Sequence, residues 1–117
     1  MSKLLLPAVC VMALLSSLPV AAETVDGYLV DKMCSGMAEK GMEGVKTHTK
    51  ECALMADCKD SGFGVVTADG KFLKFDKAGD EKAVKLLEGT DKEDNIKVSV
   101  DGKVNGDNIA VKSLSLP

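Results

Sequence analysis

Apolar and polar residues alternate strictly over Ile96, Val98 and Val100, and Val104 keeps their phase before the turn Asn105-Gly106. Ile109 and Val111 resume the alternation beyond it. A period of two is that of a strand with one buried face, and Asn-Gly between two such runs predicts a tight hairpin. The same logic pairs Gly64-Val65-Val66-Thr67 with Lys71-Phe72-Leu73-Lys74-Phe75 across Ala68-Asp69-Gly70. Between the two hairpins the period lengthens. Ala83, Val84, Leu86 and Leu87 give one face of a helix that Asp80 can cap and that runs through Glu88, with Glu81 four residues ahead of Lys85 and Gly89 suited to the carboxyl end. Upstream, Thr24 to Val30 reads as a first strand, with Val25 or Tyr28 and Val30 at its buried positions.

The predicted order is strand, cysteine-bearing segment, strand, strand, helix, strand, strand. Five strands with a helix between the third and fourth is the order of the OB-fold barrel. The expectation is therefore a mainly β domain: a five-stranded OB-fold-like barrel with a cysteine-bearing helical insert between strands 1 and 2. An open α+β sheet built from the same elements is the alternative. Within the insert, the glycine-rich Ser35 to Gly44 reads as an irregular loop.

The amino end follows another pattern. Lys3, a mostly apolar run from Leu4 to Leu18 and the small residues Val20-Ala21-Ala22 form a secretory signal, with cleavage expected after Ala22. Pro7 and Pro19 break the run, which is shorter than the roughly 20 residues of a membrane span, so an integral membrane protein is not expected. Val9 before Cys10, and the few residues between Lys3 and Cys10, argue against a lipoprotein. Residues 23–117 are then one small domain, exported to a periplasmic or extracellular compartment. All 15 basic residues are lysines, set against 18 acids, and the aromatics are only Tyr28, Phe63, Phe72 and Phe75. Without arginine or tryptophan the usual means of gripping phosphates and stacking bases are missing, and nucleic acid is not an expected partner.

The candidate chemistry lies in the insert. If Lys46 to Lys59 is one helix, His48, Cys52 and Met55 share a face that Val45 extends, while Cys58 falls away from it. Cys34, Cys52 and Cys58 are an odd number of thiols for an exported chain, so one bridge leaves one thiol over. Helix geometry favours a Cys34–Cys58 disulfide with Cys52 as the residual thiol beside His48. The competing reading is a metal site drawn from Cys34, His48, Cys52, Cys58 and Met55: zinc with three cysteines and the histidine, or copper with Cys52, His48 and Met55. Met33, Met37 and Met42 are soft donors near Cys34, or simply packing residues.

Catalysis has little support. His48 and Cys52 lack a third group to orient the imidazole, and there is no Cys-x-x-Cys. Asp26, Asp31, Asp57 and Asp60 show no spacing that assigns acid and base roles, and the Asp-Gly-Lys turns at 69–71 and 101–103 do not continue into a calcium loop.

Gly27-Tyr28-Leu29-Val30-Asp31, then Cys34, His48, Cys52 and Cys58, then "SGFGVVTADGKFLKF" and "VSVDGKVNGDNIAVKSL", resembles a set of small secreted bacterial proteins with an OB-like barrel, an Asp-x-x-Cys after the first strand and two further cysteines. The resemblance spans nearly all of residues 23–117 and implies a fold more than an activity. Two functions are therefore expected in competition. One is an exported, non-catalytic, disulfide-stapled structural or interaction module that meets an unidentified protein or small ligand. The other is a periplasmic soft-metal binding protein for copper or zinc.

Overall fold

The computed structural model describes residues 22–117. The expected signal segment, apart from Ala22, lies outside the described residues. Five strands, β1 (Glu23–Asp31), β2 (Phe63–Val66), β3 (Phe72–Phe75), β4 (Lys97–Asn105) and β5 (Asn108–Ser115), form one sheet. The helices are a 3-10 helix (Lys32–Lys40), α1 (Met42–Lys46), α2 (Lys50–Ala53), α3 (Ala56–Ser61) and α4 (Lys77–Gly89). Strand and helix take 36% and 37% of the domain, which corrects the mainly β expectation to a mixed α/β domain. The excess helix comes from the insert, where Ser35 to Gly44 is not an irregular loop but the 3-10 helix and the start of α1, broken at Gly41 with φ 107°.

The sheet has no free edge. β1 pairs with both β2 and β4, β2 with β3, β5 with β4, and a short parallel contact between β3 and β5, Lys74↔Asn108 and Phe75↔Ile109, completes the ring. Closure follows from length. β1 and β4 are each 9 residues, enough for β1 to lend its first half to β4 and its second half to β2. A bulge at Asp101/Gly102 helps β4 curve, and Gly102 is required there because a Cβ would sit 2.3 Å from the Ala110 carbonyl oxygen. Both hairpins fall where the Asp-Gly and Asn-Gly dipeptides put them, with Gly70 and Gly106 at positive φ.

The barrel interior holds Leu29, Phe63, Val65, Leu73, Phe75, Ile96, Val98, Val100, Ile109 and Val111. Helix α4 seals it with Ala83 and Leu87. Its N-cap is Asp76 rather than Asp80: the Asp76 carboxylate accepts from the backbone N–H groups of Gly79 and Val111, so the cap also ties α4 to β5. Asp80, freed from capping, accepts from the Phe63 N–H at 2.8 Å and faces Lys74 at 3.4 Å, pinning the start of β2. On β1 the sequence picks only part of the core. Leu29 is the interior residue, whereas Val30 is buried on the outer face, where it packs with Val45 and Val66 beneath the insert, with Tyr28, Met37, Met42 and Phe72 around them. Both faces of β1 are covered at its carboxyl end, which conceals the alternation. Among the described residues no helix is long and apolar enough to cross a membrane.

Candidate functional site at the junction of insert and barrel

The ladder between β1 and β2 sets this site. Asp31 and Phe63 are Cα partners at its end, and the Lys32 N–H donates to the Gly62 carbonyl at 2.8 Å. The 31-residue connection therefore leaves and re-enters the barrel at one point, and residues a few positions outward from either end must be neighbours. Cys34 lies three residues beyond Asp31, and Cys58 five before Phe63. Ser61 strengthens the junction: its hydroxyl accepts from the Met33 N–H at 3.1 Å and donates to the Cys58 carbonyl at 2.6 Å.

Asp31 is at the centre. It is fully buried, in phase with Leu29 on β1. Its Oδ2 accepts from the Cys34 N–H at 3.0 Å, capping the 3-10 helix, and its Oδ1 lies 2.7 Å from Nε2 of buried His48. Burial works to raise the pKa of Asp31, but the hydrogen bond and charge of His48, with the Cys34 N–H, outweigh it and hold the carboxyl below its ordinary value. An ionised carboxylate only accepts, so Nε2 of His48 carries the hydrogen. No buried side-chain nitrogen or oxygen is left without a partner among the described residues.

A carboxylate oxygen of Asp31 and the sulfurs of Cys34 and Cys58 lie within 4.8 Å of one another. Burial, then the Asp31 charge, pushes the Cys34 thiol up to about 12 and moves Cys58 in the same direction. A thiol held protonated is a poor nucleophile. The Cys58 sulfur also meets the Met33 sulfur at 3.9 Å, with Met33 59% exposed at the rim.

These placements revise the sequence-based site. Lys46 to Lys59 is not one helix: α1 ends at Lys46, Thr49 caps α2, and Met55 in extended conformation precedes α3. The break is enforced from outside the segment. His48 is drawn inward to Asp31, the Lys46 carbonyl accepts from the Asn95 N–H, and the Lys50 N–H donates to the Glu93 carbonyl. The supposed His48–Cys52–Met55 face therefore does not exist. Cys52 is exposed and Met55 is 59% exposed, and neither joins the group at Asp31. Cys34 and Cys58 come near each other without a disulfide at bonding distance, and among the described residues Cys34, Cys52 and Cys58 are all free thiols. Asp31 has no role in the sequence-based site beyond the Asp-x-x-Cys of the resemblance, although an acid ending a strand, with a cysteine three residues on, has the spacing of a helix cap. Of the three methionines near Cys34 in sequence, Met37 and Met42 are packing residues and Met33 alone reaches a thiol.

A hollow on the barrel, lined by Phe75, Val104, Ile109 and Ala110, is a separate place. Its carboxylate, Asp76, is already committed to capping. The chain matches no protein-family model, no curated protein and no solved structure.

Proposed function

We propose that this chain is an exported, non-catalytic domain that binds a soft metal ion at the junction of its helical insert and its barrel. The barrel is read as the OB-fold type, on the grounds of its pairing order, the parallel β3–β5 contact and the helix between β3 and β4. The observation that carries the metal reading is the convergence of Asp31, Cys34 and Cys58 from two ends of a long connection that the sheet brings together. Two thiols beside a carboxylate suit a thiophilic cation, whose positive charge would oppose the burial and the repulsion that keep the thiols protonated. His48, bonded to Asp31, orients the carboxylate rather than serving as a donor itself.

Titrating the fully reduced protein with Cu(I) or Zn(II) under anaerobic conditions tests this. One ion per chain is expected, lost in Cys58→Ser and kept in Cys52→Ser. Binding that depends on Cys52 would refute it.

The proximity of the Cys34 and Cys58 sulfurs favours a second reading, a structural or interaction module stapled by a disulfide between them. In an oxidising compartment one bridge in a domain of this size is worth about 2–4 kcal/mol. Alkylation of natural material without reductant separates the two: a single modified thiol at Cys52 is the mark of the staple, and three modified thiols after metal removal are the mark of the ion.

A further inference from the structure

We infer that the metal site is a three-sulfur site selective for Cu(I), made by Cys34 Sγ, Cys58 Sγ and the Met33 thioether, with Asp31 and His48 positioning it from outside the donor set. The inference rests on the soft-metal reading of this junction and names its ion and its third donor.

Three observations lead to it. Met33 sits at the rim with its sulfur 3.9 Å from that of Cys58, although it is the most exposed of the residues gathered there. Its backbone is fixed by the Ser61 hydroxyl, so the position of the side chain beside the Cys58 thiol is a consequence of the junction and not of core packing. Both oxygens of Asp31 already accept an N–H, one of them from the backbone of Cys34 itself, which an ion would not displace. His48 has its Nε2 engaged with Asp31, and Cys52 is exposed and outside the group. The convergent donors that hold no N–H are the sulfurs.

Coordination chemistry then selects the ion. Thiolate and thioether sulfur suit Cu(I), whereas zinc takes four donors from thiolate, imidazole and carboxylate. Binding is a proton exchange without change of oxidation state: the two thiols give up two protons to solvent, two S–Cu bonds form, and the thioether adds a third through a lone pair. Met33 at the rim would let the ion enter and leave without opening the barrel.

The test uses the reduced full domain under anaerobic conditions, loaded with one equivalent of Cu(I) from its acetonitrile complex or with Zn(II) sulfate. Copper K-edge absorption should show sulfur neighbours only. Met33→Leu, a change at an exposed side chain that leaves the fold intact, should weaken Cu(I) binding in competition with bicinchoninate by about tenfold or more and leave Zn(II) binding unchanged. A copper neighbour set containing oxygen or nitrogen, or equal Cu(I) affinity in Met33→Leu, would overturn the three-sulfur inference while the metal reading stands. Failure of the reduced protein to bind either ion would instead sink the metal reading itself.

Discussion

The barrel with α4 and the insert are two solutions to stability in one small chain. The barrel is held by a continuous apolar interior and a ring of backbone ladders, so its residues declare themselves through periodicity. The insert has four short helices, none longer than 9 residues and each marginal on its own, and it buries few apolar residues: Val45 with Val30 and Val66, Ala53 in the main core, and Cys58 at the junction. It is held instead by discrete polar ties: Asp31 to His48 and Cys34, Ser61 to Met33 and Cys58, and Lys50 and Lys46 to the segment before β4. A region held by a few hydrogen bonds can be opened without unfolding the rest, and the proposed metal site lies where that region meets the rigid one.

Replacing a barrel residue should break both regions together. Leu87→Ala removes a fully buried side chain of the α4 seal and is expected to cost about 2–5 kcal/mol. Urea unfolding followed at amides of β4 and of the insert should shift by the same amount; an insert that keeps its stability would mean that it folds independently.

Replacing a tie should separate them. Asp31→Ala strands buried His48 and removes the cap of the 3-10 helix, for about 3 kcal/mol. Hydrogen exchange should accelerate strongly across residues 32–62 and little at Val98 and Val100. Uniform acceleration would show that the junction holds the barrel as well.

Acidity should reproduce that separation more gently. The folded pKa of Asp31 lies below its ordinary 3.8, so its contribution is fully present above that value and is lost as pH falls through the lower, folded one. Reaction of Cys58 with a dithiodipyridine reagent, followed down the acid range, should speed up before the barrel loses its circular dichroism. At the other extreme, Cys34 binds its proton more tightly when folded, so the stability it contributes is present below pH 9.0 and declines as pH rises towards about 12. A stability flat across that alkaline range would contradict its placement beside Asp31.

The smallest effect belongs to the exposed thiol. Cys52→Ser should change stability by no more than about 0.5 kcal/mol and leave insert and barrel as they were.

The same contrast explains what the sequence disclosed. The alternation of Ile96, Val98 and Val100, and the Asp-Gly and Asn-Gly turns, are local signals, and the hairpins lie where they place them. The start of α4 was displaced by four residues because Asp76 and Asp80 are both plausible caps and only the approach of β5 chooses between them. Gly79, discouraging in a helix by itself, is needed there: a Cβ would come within 2.6 Å of Val111 Cγ2. In the insert no local window suffices. The helix breaks around His48 because of a partner 17 residues away, and Cys58 rather than Cys52 reaches Cys34 because of the β1–β2 register. That register was itself predictable, and counting outward from it would have favoured the same pair.

The most direct test of the central claim, that Cys34 and Cys58 at the junction carry the function, is mass mapping of alkylated thiols on the denatured chain after trapping under native conditions. The reduced protein would be compared with and without one equivalent of Cu(I). The account predicts that copper protects Cys34 and Cys58 together while Cys52 is modified in both samples. Protection of Cys52, or equal modification of all three thiols with copper present, would contradict it.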